Sequence, residues 1–151
     1  MTWELQVRPH LTPYFAYGAA VLILAAHIAV GVLLKVRSTG VVFQTSDQVA
    51  IAGLGVVIAG AVLLFARPRL RAGKAGLAVR NMLGEKLIEW PDVVDVSFPV
   101  GARWARVDLA DDEYIPLMAI QAVDKDRAVA AMDSVRALAA KYRPAGSSPR
   151  D

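Results

Sequence analysis

Few residues in this chain are of types that do chemistry, and they are scattered. His27 is the one ionisable side chain inside two long apolar stretches. An imidazole there is a candidate proton relay or cofactor ligand, because ionisable groups in lipid are costly and mark function. The plainer reading is a neutral ring hydrogen-bonded to a neighbouring helix. A haem or metal centre takes a second ligand, and none lies at that depth in the chain; His10 falls outside the stretches. There is no cysteine, which excludes disulfides, thiol nucleophiles and cysteine metal sites. Residues 76–143 contain no histidine either, so Ser97 and Ser134 lack the base that a hydroxyl nucleophile needs. Asp111, Asp112 and Glu113 are consecutive acids, but hard cations need ligands spread in space, and a solvated hairpin tip is the better reading. Gly73, Gly76 and Gly84 are not flanked by strand and helix in the order of a phosphate-binding loop. No catalytic, cofactor-binding or metal-binding set is expected, and no enzyme.

What remains is surface chemistry. Arg67, Arg69, Arg71 and Lys74 directly follow the second apolar stretch. They read as a collar at a membrane surface, where each cation near anionic headgroups contributes about 1 kcal/mol. Arg103, Trp104 and Arg106 read as a candidate partner-binding patch on the strand face opposite an apolar row, while Trp90 reads as core. Nucleic acid is not an expected partner. Residues 76–143 carry nine Lys/Arg against eleven Asp/Glu, so the formal charge of +3 belongs to the membrane flanks and not to this span.

The elements that position these residues fall into two halves. Tyr14–Leu34 and Val49–Ala66 contain no Asp, Glu, Lys or Arg. At a rise of ~1.5 Å per residue, each approaches or exceeds the length that crosses a hydrocarbon core of ~30 Å. The first run is longer than a signal-peptide h-region and no polar cleavage region follows it, so it reads as a retained helix. Tyr14 and Tyr17 sit at its start, where aromatic rings favour the headgroup level. Lys35 and Arg37 lie between the spans, against Arg8 before them and four cations after. The positive-inside bias therefore places both termini in the cytoplasm and residues 35–48 outside. Small residues at Gly55 and Ala59, and at Ala25 and Ala29, have the spacing that lets two helices approach closely in lipid.

Beyond Arg67 the pattern shortens. Residues 67–75 read as a basic linker, and 76–143 as an antiparallel meander of about five strands. Leu77 and Val79 alternate with polar or small neighbours, as do Val94, Val96 and Phe98, and then Ala105, Val107 and Leu109. A helix closes the span. Asp124 is its expected N-cap, and Val129, Met132, Val135, Ala139 and Tyr142 form its apolar stripe. Residues 144–151 read as a disordered tail.

A meander closed by one C-terminal helix resembles the pleckstrin-homology (PH) superfold. Locally, Gly76-Leu77-Ala78-Val79-Arg80-Asn81, the turn at Gly84, and Ile88-Glu89-Trp90-Pro91-Asp92-Val93 resemble one branch of it. So do Arg103-Trp104-Ala105-Arg106 and the acidic hairpin leading into Tyr114-Ile115-Pro116-Leu117. That branch is the short PH-like domain of actinobacterial membrane proteins, the PH domain family of low-molecular-weight protein antigen 6. The resemblance covers roughly residues 70–142 and implies one or two preceding membrane helices. A full PH domain has seven strands, and this span has room for about six. Eukaryotic relatives bind inositol phosphates through a basic cluster between their first strands; Arg80 and Lys86, separated by Glu85, do not reproduce it.

The expectation is an α+β protein: a two-helix transmembrane hairpin, then a small PH-like antiparallel sheet or barrel capped by a C-terminal helix. Its divisions are 1–13 cytoplasmic, 14–34 and 49–66 membrane-spanning, 35–48 external, 67–75 linker, 76–143 domain and 144–151 tail. The implied function is a non-enzymatic scaffold in the plasma membrane, presenting a cytoplasmic domain to a membrane or cytoplasmic protein partner. Anionic lipid lies near the collar, and homo-oligomerisation is compatible with the sequence. The rival is an accessory subunit of a transporter or respiratory complex, docked through its two helices.

Overall fold

The computed structural model describes residues 2–36, 40 and 42–144. It separates into two compact units: Met1–Leu11 with Arg67–Asp151, and Thr12–Ala66. The second unit is the helix pair. Helix α1 runs Leu11–Val36, and α2 runs Thr45–Leu63, extended by a 3-10 turn at Leu64–Ala66. Both stretches are long and apolar enough to cross a membrane, with mean hydropathy of 2.4 and 2.7 in their most apolar windows. Each helix starts earlier than its apolar run. Pro13 fits the first turn of α1, where its missing N–H has no intrahelical partner to lose. In α2 the polar Thr45-Ser46-Asp47 forms the first turn, and the Asp47 carboxylate accepts the Gln44 N–H at 2.8 Å. Arg37, most of the connection that contains it, and residues 145–151 lie outside the described residues, so the tail expectation does too.

The helices meet where a small residue faces a large one. Gly55 and Ala59 are buried, and a Cβ added at Gly55 would lie 2.7 Å from His27 Cβ. Gln48 Nε2–H donates to the Gly31 carbonyl at 2.9 Å. Ala25 and Ala29, the expected small patch of α1, are exposed instead. The contacting face of α1 passes through His27 and Gly31, four residues apart on one side of the helix.

The first unit is α+β, with seven antiparallel strands in two sheets among the described residues. Strands β1 (Trp3–Val7), β2 (Arg69–Gly73), β3 (Gly76–Arg80) and β4 (Glu85–Ile88) form one sheet in that order. Strands β5 (Val93–Ser97), β6 (Trp104–Leu109) and β7 (Tyr114–Gln121) form the other. Helix α3 (Asp126–Tyr142) follows β7 and packs on both sheets. Leu70, Leu77, Val96, Val107, Leu117 and Val135 are almost fully buried between these layers, so each sheet and the helix give one apolar face to a single core.

The strand count departs from the sequence reading at two places. Residues 67–75 contain a strand and are not a linker: in Arg69-Leu70-Arg71-Ala72, Leu70 and Ala72 point inward and the arginines outward. The N-terminal residues supply the other missing strand. Leu5 and Val7 pack against the core, and β1 pairs antiparallel with β2, Gln6 opposite Arg71 and Val7 opposite Leu70. In chain order, the two apolar helices interrupt the sheet between β1 and β2.

Helix α3 also differs in detail. Lys125, at φ 46°, stands at its N-cap position, and Asp124 lies in a 3-10 turn just before it. The Asp124 carboxylate accepts the backbone N–H groups of His10 and Leu11 at 3.0 and 3.1 Å. It fastens the segment leaving β1 and does not cap α3. Val129 is 61% exposed; the buried stripe is Ala128, Ala131, Met132, Val135 and Ala139.

Candidate interaction surfaces

The outward-facing side chains of the two sheets create two surfaces. On the first sheet, register fixes which residues share the outer face. Arg69 lies opposite Arg80, and Arg71 lies between Gln6 of β1 and Ala78 of β3. Arg8 follows β1 on the same side of the alternation, with its guanidinium donating to the Gln6 side-chain oxygen at 2.9 and 3.0 Å. Arg71 is the best-engaged of the group: its guanidinium pairs with Glu85 and stacks 4.9 Å over the Trp3 ring. Arg69 is the most crowded. Partial desolvation, followed by the like charges of Arg8, Arg80 and Arg71, lowers its pKa from the usual guanidinium value, and Glu85 only partly offsets this.

Of the four collar residues, then, Arg69 and Arg71 stay together on this face, joined by Arg8 and Arg80. Arg67 is exposed ahead of β2. Lys74 lies in the β2–β3 turn, at the opposite end of the strand from Arg69. The signal for Arg8 and Arg80 was the alternation in Trp3–Val7 and Arg69–Ala72, which places residues on a face only once the pairing is known. Adding β1 and β2 also changes the charge of the domain. Arg8, Arg67, Arg69, Arg71 and Lys74 join with a single acid, Glu4, turning a net −2 into +2.

The outer face of the second sheet behaves differently. Arg106 Nε lies 2.8 Å from Asp108 and donates to Ser97 Oγ at 3.2 Å, while Ser97 Oγ–H donates to Asp108 at 2.6 Å. The Arg106 guanidinium also lies 5.1 Å from the Tyr114 ring centre. Its charge is consumed locally. Trp104 is 37% exposed on the same face, beyond an irregularity in the β6–β7 register, and Arg103 is exposed beside it. Arg103 contributes its backbone carbonyl to the fold, accepting the Ala122 N–H at 2.9 Å.

The remaining candidates are accounted for in place. His27 Nδ1 lies 2.8 Å from the Ile23 carbonyl of its own helix, one turn back, and not from a neighbouring helix. Asp111 and Asp112 occupy positive φ at the exposed β6–β7 tip. No cluster of three potential metal ligands occurs among the described residues. Trp90 is 3% exposed. Its Nε1–H donates to the Gly73 carbonyl at 2.8 Å and its ring stacks on Tyr142 at 6.3 Å. The Tyr142 hydroxyl donates to Glu4, and Lys141 Nζ lies 3.0 Å from the same carboxylate. One chain of contacts therefore runs β2, Trp90, α3, β1.

A four-stranded and a three-stranded antiparallel sheet closed by one C-terminal helix is the PH architecture. A family model described as a bacterial PH domain matches residues 67–138. The chain belongs to this bacterial PH domain family. It is 70% identical over 142 residues to uncharacterized proteins of Mycobacterium bovis and Mycobacterium tuberculosis, covering 94% of this chain and 92% of each relative. No solved structure matches. The matched segment begins at Arg67, so β1, on the other side of the helices, lies outside it.

Proposed function

We propose that this chain is a non-enzymatic, membrane-anchored interaction module of the plasma membrane, with both termini in the cytoplasm. The observation that carries this reading is the pairing of β1 with β2 across the two apolar helices. If both helices cross a bilayer, the strands at either end can pair only when they emerge on the same side. The cations favour the cytoplasmic side, since Arg8 and the four that follow α2 outnumber Lys35 and Arg37 between the helices. Confinement to a membrane raises the effective concentration of the domain toward other membrane-bound proteins, so a modest contact suffices. Arg103 and Trp104 are the residues offered to a protein partner, because Arg106 is already held by Asp108 and Ser97.

Crosslinking in native membranes tests this reading. A partner captured by the full chain is expected to persist when the two helices are exchanged for an unrelated hairpin. Recovery should fall about tenfold, equivalent to about 1.4 kcal/mol, with Arg103→Ala and Trp104→Ala together. Capture that follows the helices and ignores Trp104 would favour an accessory subunit docked through its membrane segments.

A further inference from the structure

We propose that the outer face of the first sheet receives the acidic β6–β7 tip of a second copy of this chain, each copy giving its tip to the other's arginines. The contact rests on the membrane reading above but uses none of the residues offered there to a protein partner. Both halves of it belong to one compact unit. The receiving half is Arg8, Arg69, Arg71 and Arg80. Arg69 and Arg80 lie directly opposite one another on β2 and β3, where like charges destabilise a sheet and an incoming carboxylate relieves them. The acids of the same four strands are engaged elsewhere. Glu85 lies opposite Arg80 in register but gives its carboxylate to Arg71, and Glu4 is held by Lys141 and Tyr142. Among the described residues, no carboxylate lies within ion-pair distance of Arg69 or Arg80.

The inserting half is Asp111, Asp112 and Glu113, three exposed acids between β6 and β7. Asp111 and Asp112 adopt positive φ, 61° and 59°, and Leu109 N–H donates to the Glu113 carbonyl at 2.8 Å. The acids are thus displayed on a closed turn, and among the described residues none of the three is in an ion pair. Arg106, on the adjoining strand, is taken by Asp108 and Ser97. Charge and shape of the groups match: a guanidinium presents the planar fork that a carboxylate engages through two hydrogen bonds. One copy carries both surfaces, so the contact is self-complementary and closes about a two-fold axis. Copies anchored through α1 and α2 with their domains on one side of a bilayer share that axis along the membrane normal. Confinement to one membrane raises their effective concentration, so two exposed, salt-screened contacts suffice.

Cross-linking and charge exchange test this in the full chain, reconstituted in phosphatidylcholine vesicles. The sequence has no cysteine, so a mixture of Arg80→Cys and Asp112→Cys copies reports this contact alone. Mild oxidation is expected to join them at least about fivefold faster than Lys74→Cys and Asp112→Cys copies, because Lys74 lies at the opposite end of β2 from Arg69. Energy transfer between labelled copies gives the second reading. Arg69→Glu with Arg80→Glu is expected to weaken self-association about tenfold, as is Asp111→Lys with Asp112→Lys. Mixing the two variants should restore it, which misfolded chains could not do. Self-association unchanged by either reversal overturns the proposal and leaves any contact to the helices. Loss in both without recovery, together with no preference of position 80 for 112, overturns it too. Reversed arginines that release phosphatidylglycerol yet keep self-association assign the face to lipid and reject the pairing. Partner capture through Arg103 and Trp104 is read separately, so the failure of either contact leaves the other standing.

Discussion

The outer faces of the two sheets begin from the same pattern and end in opposite electrostatic states. Each strand alternates, so Arg69 and Arg71 face outward on one sheet as Trp104, Arg106 and Asp108 do on the other. On the second sheet the outward row contains its own counter-charge, and Arg106, Asp108 and Ser97 close on one another. On the first, neighbouring strands bring further arginines, Arg8 and Arg80, and Glu85 pairs with Arg71. We propose that the first face meets an anionic surface and that the second meets a protein.

The harshest test of this contrast removes the first sheet. Gly76 sits at φ 136°, and a Cβ there would lie 2.1 Å from the Ile88 carbonyl oxygen, so Gly76→Ala must separate β3 from β4. A loss of more than about 3 kcal/mol is expected, measured as lowered midpoint in denaturant. Because both sheets share one core, the second face should unfold in the same transition. A smaller contrast compares one arginine from each face. Arg106→Ala leaves Asp108 and Ser97 without their cation and is expected to cost about 0.5–1 kcal/mol. Arg80→Ala relieves Arg69 of a like charge and should be neutral or slightly stabilising, within about 0.5 kcal/mol. Equal losses from the two would erase the distinction.

The smallest effect lies at the edge of the first sheet. Hydrogen bonds from Tyr142 and Lys141 hold the Glu4 carboxyl below its usual range. A group depressed on folding stabilises fully above its unfolded pKa and loses that contribution as pH falls through the folded value. Stability should thus decline on the acid side of the ordinary carboxylate range, and Glu4→Gln should flatten that limb in melts recorded between pH 2 and 6 (about the span a carboxylate titrates).

How much of this was legible follows the range of the interactions. The helices, the later strands and α3 announce themselves through local period, and Trp90 is buried as its setting implied. Strands β1 and β2 did not. Each is five residues long, and they pair with one another across some sixty residues and the apolar helices, although β2 also has β3 directly after it. Four cations in residues 67–74 also masked the alternation of Leu70 and Ala72. Asp124 departs from its expected role for the same reason: a carboxylate before a helix looks like its cap, and only the fold shows that it reaches His10 and Leu11 instead. Arg8 and Arg80 became part of a face only through register.

The pairing of β1 with β2 across the helices supports the charge of the first face, the seven-strand count and the shared side of the two termini. Cysteines at Gln6 and Arg71, which lie opposite one another, test it in the full chain in membranes. Mild oxidation should close an intramolecular disulfide with an efficiency comparable to an Ala78/Leu87 cysteine pair on β3 and β4. A pair at 6 and 71 that stays reduced, while 78 and 87 crosslink, would contradict the account.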